Sequence, residues 1–212
     1  TLGEFIAWIT GWNLILEYGV ASVAVAIGWS GYFNKLLQIA GIHLPDWATH
    51  APGGPEGGII NLPAMVIVLL CTWMLVVGIK ESARITTIIV VIKLVVIGFF
   101  IAVGADQVDT ANWSPFMPNG FAGVGAAAAI VFFAYIGFDA VSTTAEEARN
   151  PQRDIPIGII ASLGICTLLY LAVAGILTGM IPWQKIDVNA PIADALGQLG
   201  FRWGAAIVSV GA

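Results

Sequence analysis

Long apolar runs, each interrupted by one charge at most, leave this chain few ways to fold. Phe5–Phe33 contains only Glu17, and Ile85–Ala105 contains only Lys93. Ile60–Ile79, Phe116–Phe138 and Ile155–Trp183 carry no charge at all. Crossing roughly 30 Å of hydrocarbon takes about 20 mostly apolar residues in helical form, so each run is long enough for one span. A further run starts at Trp203 and reaches Ala212, about half the needed length. Strands of a membrane barrel would instead alternate over about 10 residues. The expected fold is therefore an all-α polytopic membrane protein, a single transmembrane domain over 1–212. Its five full spans lie at about 5–33, 60–79, 85–105, 116–138 and 155–183, with the start of a sixth at 203–212.

Composition closes off the alternatives. Only 10% of the 212 residues are charged and 58% are hydrophobic, whereas a soluble domain carries about 25% charged residues. Eight Lys plus Arg against thirteen Asp plus Glu, a net charge of −5, offer no basic stripe for nucleic acid. The mean hydropathy of +0.91 excludes disorder. The partner implied is the lipid bilayer. Thr1 follows no Met or signal sequence and Ala212 falls inside an apolar run, so the chain reads as an internal fragment of a longer protein. Cys71 and Cys166 both sit within apolar runs, which implies no disulfide framework.

Proline, glycine and charge mark the joints. Asn34–Ile59 is rich in both breakers, Gly78–Arg84 is a short polar turn, and Asp106–Pro115 is acidic and carries Trp113. Ala145–Pro156 is the most charged segment, and Gln184–Arg202 holds an apolar stretch suited to a short surface helix. The second and fourth of these loops share one side and hold Lys80, Arg84, Arg149 and Arg153. The opposing loops spread Lys35, Lys185 and Arg202 over much more chain. The positive-inside rule then makes the short loops cytoplasmic and puts Thr1 on the same side, in the cell membrane.

Ionisable side chains inside a bilayer cost about 2.5–3.5 kcal/mol on insertion scales and mark sites by default. Glu17 is mid-run; it serves either a site or an internal hydrogen bond to another helix. Lys93 lies eight residues into its span; it either snorkels to a surface or exchanges a proton during a working cycle. Asp139, at the end of its run, suits an interface charge paired with Arg149 or Arg153. In the fourth span Gly123, Gly125 and Ala126–Ala129 form a thin face that lets another helix approach. Beyond it Gly137 either breaks the helix or sits in a tilted, unbroken one. A break would strip carbonyls near Phe133–Ile136 of their intrahelical partners, an arrangement found in membranes only around a polar cavity, where it can coordinate a cation.

Three segments resemble a known family. FFAYIGFDAVSTTAEEARNPQRDIPIGI is similar to the sixth-helix signature of the amino acid–polyamine–organocation superfamily, in its cationic amino acid transporter branch with bacterial homologues. GWNLILEYGVASVAVAIGWSGYF resembles that branch's third helix, and GIKESARITTIIVVIKLVVI its fourth-to-fifth turn and fifth helix. The resemblance implies part of a LeuT-like bundle of two inverted five-helix repeats, covering family helices three to seven and the start of eight. The first two helices, which supply the carboxylate-binding break, have no counterpart here. By position, the carbonyls of Phe133, Ala134 and Ile136 beside Gly137 would accept a substrate α-ammonium, and Phe133 would gate the pocket. Glu17 would face a cationic side chain, and Lys93 would stand in for a coupling sodium and carry the coupling proton. The implied function is proton-coupled amino acid transport by alternating access, with no cofactor and no metal.

Two other classes compete. One is a non-transporting truncated membrane bundle or partner subunit; in the transporter reading, too, a small partner subunit stays open. The other is an intramembrane serine protease, since Gly28-Trp29-Ser30-Gly31 matches GxSG. That chemistry needs a histidine on another span to activate the serine, yet His43 and His50 lie in the adjoining loop. No HExxH occurs.

Overall fold

Helix α1, Glu4–Ile39, runs past the charge-free stretch and takes in Asn34, Lys35 and Gln38. None of these breaks a helix, so the rod stops only at the first residue that favours another backbone conformation. Gly41, at φ +83°, turns the chain. The Ile42 N–H then donates to the Leu37 carbonyl (2.9 Å) and the Gly41 N–H to that of Gln38 (3.0 Å), the paired bonds of a Schellman ending. At 36 residues and about 1.5 Å each, α1 is longer than the hydrocarbon layer is thick.

The computed structural model describes residues 3–53, 57–77, 82–137, 141 and 150–211. Thr1, Gly54, Pro55, Lys80, Glu81, Phe138, Asp139, Glu146, Glu147 and Arg149 lie outside the described residues. After α1 come a 3-10 turn at Asp46–Ala48, α2 (Leu62–Val77), α3 (Ser82–Ala105) and a 3-10 turn at Thr110–Trp113. Then follow α4 (Gly120–Phe132), α5 (Pro151–Met180), α6 (Pro191–Gln198) and α7 (Arg202–Gly211). No β-strand forms among the described residues. Glu4–Ile39, Thr87–Ala105 and Pro151–Met180 are long and apolar enough to cross a membrane, and Leu62–Val76 and Gly120–Tyr135 are shorter apolar helices. Large apolar side chains stand open along them, among them Leu16, Leu75 and Ile160. With the sequence composition, this makes the chain membrane-embedded.

The chain forms two compact units, Thr1–Gly98 with Ile186–Ala212, and Phe99–Lys185. In the first, α1 packs against α2, α6 and α7. The Asn61 amide joins two of these helices. Its Oδ1 accepts the Ala64 N–H (3.0 Å), capping the first turn of α2, while its Nδ2 donates to Ser30 Oγ on α1 (2.8 Å). Helix α6 is the short helix expected in the Gln184–Arg202 loop, but it is buried rather than superficial: Ala193, Ala195 and Leu196 are inaccessible. Small residues explain the difference. Gly31 lets the Asn189 carbonyl rest against α1 where any Cβ would collide with it, and alanines bring α6 against its neighbours. Lys35 Nζ then donates to Asp194 Oδ1 while Gln198 Nε2 donates to Oδ2 (2.6 Å).

In the second unit the polar loop after α3 closes the end of α5. The Asp109 N–H (3.0 Å) and Asn112 Nδ2 (2.7 Å) both donate to the Gly179 carbonyl, and Trp113 Nε1 donates to that of Gly175 (3.2 Å). The Gly179 carbonyl is among the last of α5, which lack helical partners, and the Gly175 carbonyl lies one turn before it. Gly104 meets Ile176 and Met180 with no room for a side chain, and Phe100 is buried beside this contact.

Two outcomes follow for the first unit. Gly31→Ala should cost about 1–3 kcal/mol, as overpacking against backbone does, and lower the melting temperature of the detergent-solubilised protein. Burial pushes the Asp194 carboxyl up, but the hydrogen bonds from Lys35 and Gln198 and the Lys35 charge outweigh it and hold the group below 3.8. Its stabilisation is therefore complete above the unfolded value and is lost as pH falls below about 4 through the folded one. Melting temperatures measured down that range should drop more for the parent than for Asp194→Asn.

Candidate functional site

The fourth apolar run does not continue as a helix. Helix α4 ends at Phe132, Phe133–Tyr135 tightens into a 3-10 turn, Ile136 opens to φ −58°, ψ 134°, and Gly137 takes φ +109°. Only glycine adopts that last conformation without strain. Of the two readings of Gly137, the broken helix is the one observed.

The carbonyls at the break find partners of two kinds. The Phe133 carbonyl accepts the Ile136 N–H (3.2 Å), a tight-turn bond. The Ala134 carbonyl accepts the Tyr170 hydroxyl from α5 (3.0 Å). Next to it, the Tyr135 and Thr167 hydroxyls share a hydrogen bond of 3.0 Å, and the Tyr135 and Tyr170 rings meet edge to face with centroids 5.4 Å apart. Phe133 and Ala134 are accessible, while Ile136 and Gly137 are half-buried. Tyr135, Thr167 and Tyr170 are functional candidates that the sequence reading passed over. The available signal was two hydroxyl residues three apart, hence on one face, of the apolar α5.

Glu17 and Lys93 belong to the other compact unit. Glu17 is half-buried midway along α1, and Lys93 stands accessible on α3 between Ile92 and Leu94. The same unit holds a cavity of about 430 Å³ lined by Ser30, Asn34, Asp46, His50, Asn61 and Asp187, among others. Ser30 is buried there, donating to the Ile27 carbonyl (2.7 Å) and accepting from Asn61. Those bonds serve packing, and they engage the hydroxyl that the GxSG pattern singled out. His50 Nδ1 lies near Thr49 Oγ1 (3.0 Å) and the Asp46 carbonyl (3.2 Å). Among the described residues no group of three His, Cys, Asp or Glu could hold a metal ion.

The model of a family described as amino acid permease matches residues 1–212. The chain is 53% identical to the branched-chain amino acid permease BcaP of Bacillus subtilis, over 100% of this chain and 46% of that protein. It is 51% identical to the methylthioribose transporter of the same organism, with the same coverage. With cationic amino acid transporter 1 of Arabidopsis thaliana the identity is 42%, over 100% of this chain and 35% of that one. The chain thus spans about half the length of the first two of these curated relatives.

The break makes its own prediction. Gly137→Ala forces a β-carbon into a backbone region that costs about 1–3 kcal/mol. The melting temperature should fall accordingly, whereas Gly125→Ala, with open space around its Cβ position, should leave it unchanged or raise it.

Proposed function

The chain belongs to the amino acid permease family, and we propose on that footing that it forms part of a carrier moving amino acids across the cell membrane by alternating access. The observation that carries the proposal is the interrupted fourth run, where the helix tightens into a 3-10 turn, Ile136 opens to an extended ψ and Gly137 takes positive φ inside an apolar segment. Carbonyl oxygens offer partial negative charge, which suits an α-ammonium. Two of the three relatives are named for branched-chain and cationic amino acids, whose common feature is that ammonium beside a carboxylate, and the third for methylthioribose.

The remaining roles follow the family resemblance. The carbonyls of Phe133, Ala134 and Ile136 receive the ammonium, Gly137 supplies the break, and the Phe133 ring closes over the seat. Glu17 meets the substrate side chain and favours cationic ones. Lys93 carries the proton that couples transport to the pH gradient. The surrounding architecture is a LeuT-like inverted repeat, oriented with Thr1 on the cytoplasmic side. Nothing in the arrangement favours a protease: the Ser30 hydroxyl is held by Ile27 and Asn61.

Two substitutions in the full-length protein test these roles. In proteoliposomes with an imposed pH gradient, Lys93→Ala should abolish gradient-driven uptake; full retention of pH dependence would remove Lys93 from the coupling role. Glu17→Gln should weaken arginine and lysine binding about tenfold more than alanine binding. Equal losses for the three ligands would remove the preference for cations.

A further inference from the structure

Two side chains on α5, Thr167 and Tyr170, lie three residues apart and so share one helix face. They engage consecutive residues of the break: Tyr170 donates to the Ala134 carbonyl, and Thr167 bonds the Tyr135 hydroxyl. The edge-to-face contact of the two tyrosine rings lies between these bonds. We propose that Thr167 and Tyr170 are positioning residues that clamp the 134–135 segment and aim the Ala134 carbonyl, so that α5 sets how strongly the carrier prefers a ligand bearing an α-ammonium.

The physical case rests on what a helix break removes. A carbonyl in a continuous helix is fixed by the N–H four residues on. At Ala134 the chain has left that geometry, so an outside donor fixes the oxygen instead. A carbonyl has two lone pairs; the hydroxyl uses one and leaves the other for a ligand. The bond to Thr167 restrains the adjacent residue and so limits rotation of the peptide plane. A two-point grip of this kind acts on direction, and hydrogen-bond strength falls steeply with misalignment.

The inference rests on the transport reading above, and the test separates the two. Binding to the full-length protein in detergent is measured by calorimetry for each of the twenty amino acids, and for the deaminated acid of whichever binds. The parent should bind the amino acid at least tenfold more tightly than its deaminated counterpart. Tyr170→Phe should cut that ratio about tenfold while leaving the deaminated acid's affinity unchanged. Thr167→Val should cut it in the same direction, and Thr167→Ser, which returns the hydroxyl, should restore it. An unchanged ratio in both Tyr170→Phe and Thr167→Val would overturn the clamp, as would equal losses for both ligands, the mark of a purely structural role. If Tyr170→Phe does not fold, the near-isosteric Thr167→Val decides. A parent that binds no amino acid overturns the transport reading, and the clamp with it.

Discussion

A backbone amide or carbonyl placed in hydrocarbon without a partner costs several kcal/mol, and the ends and interruptions of these helices are organised around that cost. Helix α1 closes its last carbonyls upon itself through the Schellman bonds at Leu37 and Gln38. Helix α5 closes its Leu177 carbonyl with the Ile181 N–H and borrows donors for Gly179 from the loop before α4, with Asp109 and Asn112 each contributing an N–H. The interruption at Ala134 borrows a hydroxyl from α5.

A second constraint is distance. The first unit buries little bulk: apart from Leu196 and Val208, its buried apolar side chains are alanines. With lipid tails as apolar as the side chains themselves, helices associate through close van der Waals contact rather than through expulsion of water. Gly31 against the Asn189 carbonyl and Gly211 against Val96 are such contacts. The first of them draws α6 from the surface position its polar flanks suggest into the unit. The ion pair of Lys35 and Asp194 forms near the C-terminal end of α1, where Asn34 and Gln38 also lie.

Legibility in the sequence divides along the same line. The apolar runs declared helices because their length and composition admit no other form in lipid. Gly137 was readable as a possible break but not as an actual one, since glycine in a helix and glycine ending it look alike in a string of letters; φ +109° decides between them. The Tyr170 bond to Ala134 crosses 36 residues, and a tyrosine in an apolar run reads first as an interfacial or packing aromatic. The GxSG setting of Ser30 fails already in the sequence for want of a histidine on another span, and its hydroxyl is engaged by Ile27 and Asn61. Family resemblance added roles for Glu17 and Lys93 that burial and spacing in this chain do not by themselves assign.

The nature of the donor at Ala134 bears on what the break can do. A lysine or arginine reaching that oxygen would satisfy it more strongly, since charge-assisted hydrogen bonds are about twice as strong as neutral ones. It would also place a fixed positive charge beside the carbonyls and repel any ligand ammonium. A backbone N–H would satisfy the oxygen only by restoring the helix and erasing the break. A neutral hydroxyl on a neighbouring helix avoids both outcomes: it answers the cost of the unpaired oxygen, adds no net charge, and leaves the second lone pair facing elsewhere. Among the side chains α5 could offer at that height, tyrosine combines this donor with the ring that packs against Tyr135, so one residue both fills space and completes the backbone.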